Sequence, residues 1–467
     1  MKLDRGLFWR CIAVVFLGLV MASAQAKPPF GDGWRDHDES SSSDDWRKMD
    51  KSKHERRHKH DRDYGWVKHD KSNVKLKNVL GMDDKVHSAS CSGYPGTNAE
   101  FSFWSKKGKS DNVAVFFEGG GACWDATTCS FPLSNSLPAG IPPQLQFFVP
   151  AIDADSTPDD YDGMFDTDNP ANPIRDWSIV YIPYCTGDLH TGSSTRTYTQ
   201  PTPAPGVPYN PYIPASFPIR HGGFDNFMVV MDWMKKNIDK PRNVLVTGSS
   251  AGGYGAIANF PWIERAFRNA HTYVIADASQ GVTTPAFDLV GRGAWNMQLA
   301  PWAFGNNPSA IAGTDLLRVA AKARPQVKTA QFTTAYDETQ ISFYGYMAAY
   351  YNQLGFYGGG GSCANLPVGG GVTVPGAAID WNHQMLASLQ SYGDDVPNFR
   401  YYLAEGSYHT LMRSTRFYTE DSAGVAFSQW VDDMLSNRGG RRGHGGGWEN
   451  AASAVGLSQL PCLPVAP

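Results

Sequence analysis

The sequence predicts an α/β fold in which a mostly parallel sheet carries helices on both faces. Short apolar runs alternate with segments of helical period through most of the chain, and strands that alternate with helices build parallel sheets. One apolar run leads into a Gly-x-Ser-x-Gly motif centred on Ser250, and an alanine-rich run follows it. That order is typical of a strand, a sharp turn and a helix. With 48 glycines and 31 prolines, the chain is also expected to carry long loop insertions.

Apolar periodicity predicts the individual elements in chain order. Apolar runs bounded by Gly, Pro or Asp are predicted as strands, and segments with apolar residues three and four apart as helices. The predicted strands are Asn112–Phe117, Trp177–Tyr184, the run into Ser250, Tyr273–Asp277, Gln331–Tyr336 and Phe399–Leu403. The predicted helices are Phe224–Ile238, the run from Tyr254, Ile379–Tyr392 and Phe427–Leu435.

Four segments are predicted along the chain. Residues 1–26 read as a cleavable signal peptide, because basic residues precede a short apolar run and small residues follow it. Residues 27–78 are charged, serine-rich and nearly free of aliphatic side chains, so we expect a solvated tether. Residues 79–437 are predicted as the folded domain, and residues 438–467 as a glycine-rich loop and tail. A secreted or periplasmic protein without stable membrane insertion is therefore expected.

Net charge, histidine spacing and cysteine content indicate which partners, metal sites and disulfides to expect. A net charge of -4 argues against a nucleic-acid partner, and a monomer is expected. The tether histidines show no regular ligand spacing, so a metal site is not predicted there; they are His37, His54, His58, His60 and His69. Removal of the predicted signal peptide, which contains Cys11, leaves six cysteines. An even set in an exported chain favours disulfides, and their pairing stays open at this point. These cysteines are Cys91, Cys123, Cys129, Cys185, Cys363 and Cys462.

Ser250 is the candidate nucleophile. Glycines on both sides permit the strained turn of a nucleophile elbow, in which a β-carbon would clash, and the turn exposes the hydroxyl. A tight glycine turn without chemistry is the alternative. A serine hydroxyl is a weak nucleophile at neutral pH, so it needs a neighbouring base and an acid that orients the base. In an α/β-hydrolase-like core the acid and then the histidine follow the serine along the chain.

His409 is the candidate base, because it follows a late predicted strand and precedes the last predicted helix. The other histidines after Ser250 are placed less suitably. His271 begins a strand, His383 lies within a predicted helix, and His444 lies in the glycine-rich tail.

Asp337 and Asp277 compete for the role of the acid, since each directly follows a predicted strand. The penultimate strand carries the acid in folds of this type, which favours Asp337. Asp277 is then expected to cap or brace the site.

An early glycine run supplies the remaining part of the site. It reads Glu118-Gly119-Gly120-Gly121-Ala122-Cys123-Trp124 and follows a predicted strand. Such a run can turn its N–H groups toward a substrate carbonyl oxygen, alongside the amide of Ala251. A phosphate-binding loop is the rival interpretation, but the Gly-Lys-Ser/Thr ending is missing. No metal or organic cofactor is needed for this chemistry.

Several motifs in fixed order resemble the pectin acetylesterase and Notum family of secreted carboxylesterases. They span about Val86 to Leu435, and they are the glycine run from Glu118 to Trp124, Asn172-Pro173 with Asp176-Trp177, Val180 to Asp188, Gly248 to Gly253, Tyr336 to Gln340 and the His409 loop. The resemblance implies a triad of Ser250, Asp337 and His409, with oxyanion donors from Gly120, Gly121 and Ala251. It also implies the bridges Cys91–Cys185 and Cys123–Cys129, which leaves Cys363–Cys462.

The same resemblance implies a serine esterase that deacetylates an acetylated polysaccharide such as pectin through an acyl-enzyme. A hydrolase of lipid, polyester or acyl-protein esters is the alternative, followed by a non-catalytic glycan-binding protein on the same scaffold. Two departures from the family stand out. Ser249 replaces a cysteine that plant and animal members usually carry, and Gly121 or Ala122 replaces a large aromatic residue, which opens the pocket. Segments Phe131–Phe165 and Pro285–Phe304 are candidate walls over Ser250, with ordinary core packing as the alternative.

Overall fold

The computed structural model describes residues 65–133, 146–153, 156–204, 209–350, 376–436 and 448–452, except the side chains of residues 349 and 350. The strands in chain order are β1 (Val67–His69), β2 (Val79–Leu80), β3 (Val86–His87), β4 (Phe103–Lys106), β5 (Asn112–Phe117), β6 (Ser178–Ile182), β7 (Ser194–Thr199), β8 (Ser216–His221), β9 (Asn243–Ser249), β10 (His271–Asp277), β11 (Lys328–Thr334), β12 (Phe399–Ala404), β13 (Asp421–Ser422), β14 (Val425–Ala426) and β15 (Ala451–Ala452). The α-helices are Ala126–Ser130, Gly223–Asn237, Ala251–Ala266, Arg292–Trp295, Pro301–Phe304, Leu316–Ala323, Glu338–Tyr350, Ala377–Asp395, Arg416–Thr419 and Phe427–Leu435, and a π-helical turn spans Phe287–Gly291.

The main sheet has the strand order β1-β4-β6-β5-β9-β10-β11-β12-β15 within the described residues. From β6 to β15 every neighbouring pair is parallel, and β4 runs antiparallel to both of its neighbours. The predicted fold class, a mostly parallel sheet with helices, is confirmed. The carboxyl ends of β5, β9, β10, β11 and β12 therefore lie at one edge, where the loops that follow them can build a site.

Helices cover both faces of this sheet because the central strands are apolar on both sides. On β5, Val113 and Val115 pack into one core cluster while Ala114 and Phe116 pack into the other. The first cluster includes buried residues of helices Gly223–Asn237 and Ala251–Ala266, and the second includes those of Phe427–Leu435. Strands buried on both faces read as continuous apolar runs, which is why sequence pattern located them.

The sheet begins before the expected boundary at residue 79. Strand β1 pairs with β4, and His69 is 8% exposed, stacked on Phe103 at 4.7 Å between ring centroids. This histidine therefore belongs to the sheet and not to the tether. At the other edge, β15 pairs with β12 beyond the expected domain end at residue 437. Both are short edge strands with polar neighbours. Strands of this kind are too short to show an apolar period in the sequence.

Two disulfides connect described residues, Cys91–Cys185 and Cys123–Cys129. They are the pairings that the family resemblance implies. Cys363 and Cys462, like the predicted signal peptide, lie outside the described residues. Within the described ranges, a helix of sufficient length and apolarity to traverse a bilayer is not found.

Candidate active site

Ser250 occupies a strained turn between β9 and the helix Ala251–Ala266. Its φ of 58° and ψ of -126° lie in a region that L-residues rarely adopt. A β-carbon on Gly248 would lie 2.3 Å from the carbonyl oxygen of Gly252, and one on Gly252 would lie 1.9 Å from that of Phe117. Only glycine fits at either position, so the turn has the geometry of a nucleophile elbow.

Asp337 and His409 meet beside this turn. Asp337 is fully buried, and its two carboxylate oxygens lie 2.9 and 2.8 Å from His409 Nδ1. The backbone N–H and side-chain amide of Gln340 also donate to this carboxylate, each at 2.9 Å. The pair is therefore fixed, with the proton of the imidazole on Nδ1.

The opposite ring nitrogen of His409 is left for other partners. Nε2 is buried and forms no hydrogen bond to any described residue, while Ser250 and His409 line the same cavity. Burial lowers the pKa of His409, but the charge and hydrogen bond of Asp337 outweigh burial, so the net pKa is raised above its ordinary 6.5. The structure thus brings Ser250 and His409 to one cavity, with Asp337 buried behind His409 and the contact between Ser250 Oγ and Nε2 still open.

The other predicted candidates lie elsewhere. His271 is exposed at the start of β10, His383 lies on the helix Ala377–Asp395, and His444 lies outside the described residues. Asp277 has no exposure and contacts the loop after His409.

Asp277 holds the loop that carries His409. Its Oδ2 accepts hydrogen bonds from the backbone N–H groups of Leu411 and Met412, both at 3.1 Å. The hydroxyl of Ser249 donates to the same oxygen at 2.6 Å, from a fully buried position. Ser249 therefore has a structural partner at the position where the sequence departs from the family.

The glycine run packs directly against the elbow. A β-carbon on Gly119 would lie 2.6 Å from the carbonyl oxygen of Ser249, and one on Gly121, at φ 69°, would lie 1.9 Å from that of Phe147. Gly120 adopts φ 151°, and Gly121 and Ala251 line the cavity with Ser250. The backbone therefore approaches the serine closely where oxyanion donors are expected.

Sequence reasoning missed the ion pair between Glu118 and Arg413. Their side chains lie 3.4 Å apart, and Glu118 also accepts hydrogen bonds from the Tyr184 N–H at 3.1 Å and the Tyr161 hydroxyl at 3.2 Å. The pair connects the glycine run to the loop after His409. Glu118 lies inside a family motif, which was the available signal, whereas nothing local to Arg413 shows its partner.

A largely apolar cavity of about 850 Å³, its open mouth included, extends from Ser250. Its described apolar lining residues include Leu189, Ile257, Ala258, Val282, Phe287, Trp295, Met297, Leu299, Leu316, Phe343 and Met347. The predicted wall Pro285–Phe304 thus contributes, while no described residue of the other predicted wall, Phe131–Phe165, lines it. Ligand cavities of this kind bind apolar groups and use few polar contacts for orientation.

Strained backbone surrounds this cavity. Leu189, Ser250 and Ala278 line it with φ of 56°, 58° and 55°, and Thr410 beside His409 has φ 66°. Such conformations persist only where the surrounding structure imposes them, and they concentrate at functional sites.

One compact group of potential metal ligands occurs among the described residues, namely Cys123, Cys129 and His221. The two sulfurs are joined in a disulfide, so neither offers the thiolate that a metal or a thiol hydrolase requires. Cys185 is likewise bridged.

Comparisons with known proteins give a family match and solved structures with a similar fold. Residues 68–286 match the family model described as Pectinacetylesterase, a range that includes the glycine run and Ser250 but ends before Asp337. No curated protein matches the chain. Among solved structures, the Wnt deacylase Notum from Drosophila is 18% identical in one crystal form, covering 81% of this chain and 97% of that chain with a TM-score of 0.49. A second crystal form is also 18% identical, covering 78% and 94% with a TM-score of 0.45.

The family match supports a hydrolase that acts on esters of an acylated substrate. The resemblance to the pectin acetylesterase family that the sequence predicts is confirmed by this match over residues 68–286.

Proposed function

We propose that the chain is an exported serine carboxylesterase in which Ser250 is the nucleophile, His409 the base and Asp337 the orienting acid. The observation that carries this proposal is the buried Asp337 carboxylate bonded to His409 Nδ1, with Ser250 at a strained elbow on the same cavity. Hydrogen bonds between catalytic groups commonly close only when substrate binds, which fits the open contact at Nε2.

The reaction follows from these positions. Nε2 of His409 takes the proton of Ser250 as the hydroxyl oxygen attacks the ester carbonyl, and the resulting oxyanion is stabilised by the N–H groups of Gly120, Gly121 and Ala251. The protonated His409 then gives its proton to the departing alcohol, leaving an acyl-enzyme. Water, deprotonated by His409, attacks that ester and releases the acid.

Covalent labelling tests the proposal directly. A fluorophosphonate probe should label the wild-type chain at Ser250, because the base and the oxyanion donors activate this hydroxyl. The Ser250→Ala variant should not be labelled, whereas Ser309→Ala, at an exposed serine, should be labelled like the wild type. A wild-type chain that resists the probe would favour the alternative of a glycan-binding protein without catalysis.

The size of the acyl group separates the two substrate classes that the sequence leaves open. The cavity wall continues from Ser250 to Trp295, Leu316 and Met347, which is more apolar lining than an acetyl group with its single methyl can contact. The lining therefore favours acyl chains longer than acetyl, against acetylated pectin as the leading substrate. Each buried methylene stabilises by about 0.8 kcal/mol, or roughly fourfold in kcat/KM.

Chain length therefore provides the measurement. In the series of p-nitrophenyl acetate, butanoate and hexanoate, kcat/KM should rise at each step. Acetylated pectin serves as the polymer control. The highest kcat/KM on the acetyl ester, together with release of acetate from pectin, would restore the polysaccharide substrate.

A further inference from the structure

A charged pair interrupts the apolar wall of the cavity. Asp288 and Arg292 carry the carboxylate and the guanidinium among its described lining residues, with Nε of Arg292 3.3 Å from Oδ1 of Asp288. Arg292 is 3% exposed and Asp288 9%. Taking two charges out of water is costly even when they are paired, and a hydrophobic pair of similar volume is often no less stable. A role in ligand binding would account for the pair.

The carboxylate is well supplied with donors, whereas the guanidinium lacks an acceptor. Asp288 accepts hydrogen bonds from the hydroxyl of Thr283 at 2.8 Å and the backbone N–H of Gly313 at 3.1 Å. Nη2 of Arg292 donates to the carbonyl oxygen of Ile311. Nη1 is buried and has no hydrogen-bond partner among the described residues. A buried charged donor without a partner is destabilising. We therefore expect Nη1 to donate a hydrogen bond to an acceptor on a bound ligand.

Neighbouring contacts connect the pair to the helix that begins directly after Ser250. Gly281 donates its N–H to the Tyr254 hydroxyl at 3.0 Å, and a β-carbon on Gly281 would lie 2.2 Å from the carbonyl oxygen of Gly313. Gly313 also donates its N–H to Asp288 at 3.1 Å, so a short series of contacts leads from the pair to Tyr254. Ser250, Asp288 and Arg292 line the same cavity.

Charge decides which acceptor fits. Asp288 already balances the guanidinium, so a ligand carboxylate would bring a second negative charge close to the first. Burial raises the pKa of Asp288 and lowers that of Arg292, with the charge of the partner opposing each shift. A site this deeply buried tolerates a neutral oxygen better than a further anion.

We propose that Arg292 Nη1 donates a hydrogen bond to a neutral oxygen that the acyl group carries beyond its ester carbonyl, as a keto, hydroxyl or second ester oxygen. This inference rests on the proposed function and specifies its substrate class. Arg292 is then a specificity residue for oxygenated acyl chains. The π-helical turn Phe287–Gly291 leads directly into Arg292, and such turns are frequent at functional sites.

The test compares p-nitrophenyl hexanoate with its 4-oxo and 5-oxo derivatives and with the monoester of adipic acid. At least one oxo ester should exceed hexanoate in kcat/KM by about tenfold, the worth of a hydrogen bond to a charged donor. The anionic adipate ester should be the poorest substrate. Equal or lower kcat/KM on both oxo esters would overturn the inference, and so would a preference for the adipate ester.

Variants then test whether the preference for oxo esters depends on the Asp288–Arg292 pair. Because removal of one partner would leave a buried charge, the variant is the neutral double substitution Asp288→Asn with Arg292→Gln. Its readout is the ratio of kcat/KM for the oxo ester to that for hexanoate, which should fall to about one. The matched control is Glu264→Gln with Arg324→Gln, a half-buried ion pair outside the described lining of the cavity, which should keep the wild-type ratio.

The outcomes separate the two proposals. If the double variant keeps the oxo preference, Arg292 is not the donor and the inference fails. If the double variant does not fold, the wild-type substrate series alone decides. Labelling at Ser250 and hydrolysis of hexanoate without any oxo preference would overturn this inference and leave the esterase proposal intact, whereas a chain that is not labelled would overturn both.

Discussion

Replacing His409 by alanine is expected to lower kcat for an ester substrate by about a million-fold, the scale seen when a serine hydrolase loses its base. Without the imidazole, Ser250 loses the base that takes its proton. Asp337 should remain satisfied, because both hydrogen bonds from Gln340 persist. The fold should therefore survive, and near-ultraviolet circular dichroism would verify this before the kinetics are read.

Combination with Ser250→Ala makes this prediction specific. Residues that act as one unit give strongly non-additive losses, so the double variant should be little slower than either single variant. His271→Ala is the matched control, since this histidine is exposed at the far end of a strand. Losses that multiply in the double variant would show that Ser250 and His409 act independently and would refute the triad.

Replacing Asp337 by asparagine is expected to lower kcat by about ten-thousand-fold without altering the shape of the site. An amide N–H facing Nδ1 would place the imidazole proton on Nε2, where the ring can no longer accept the proton of Ser250. The oxygen of the introduced amide can still accept one of the two Gln340 hydrogen bonds, which helps to hold the new side chain in place. The measurement is kcat at saturating substrate for the wild type and the variant.

The pH dependence supplies a second, independent readout of Asp337. The base must be neutral, so kcat/KM should rise as pH increases through the pKa of His409. Because Asp337 raises that pKa, the midpoint for the wild type should lie above the ordinary 6.5. In Asp337→Asn the raising charge is gone and burial lowers the pKa, so the midpoint of the residual activity should move to lower pH. An unchanged midpoint would contradict the role of Asp337.

The pattern of apolar residues within single segments predicted much of the scaffold, because most strands and helices of this fold have a regular apolar period of their own. Asn112–Phe117 and Phe427–Leu435 have the predicted bounds, since each is a continuous apolar or amphipathic run. Strands β1 and β15 escaped prediction because they are edge strands of two or three residues. Their place in the sheet depends on pairing with β4 and β12 and not on their own composition.

The site was predictable only as far as its residues carry local signals. The chain order of a serine, an acid and a histidine indicated three candidates, but Asp277 and Asp337 follow neighbouring strands and look alike in sequence. The structure places Asp337 against His409 and uses Asp277 to hold the backbone of Leu411 and Met412. The Glu118–Arg413 pair spans nearly the whole domain, and no local pattern relates its members.

The sequence by itself determined the strand, the strained serine turn and the helix at Ser250. The reason is that the glycines on either side avoid steric clashes with backbone atoms, and the turn that needs them spans only a few residues. Only the tertiary structure decided which carboxylate contacts His409, that an apolar cavity extends from the serine, and that Arg292 enters its wall with a nitrogen unpaired among the described residues. These features arise where loops distant in the chain converge at one edge of the sheet. Their energies depend on packing and burial that no single segment encodes.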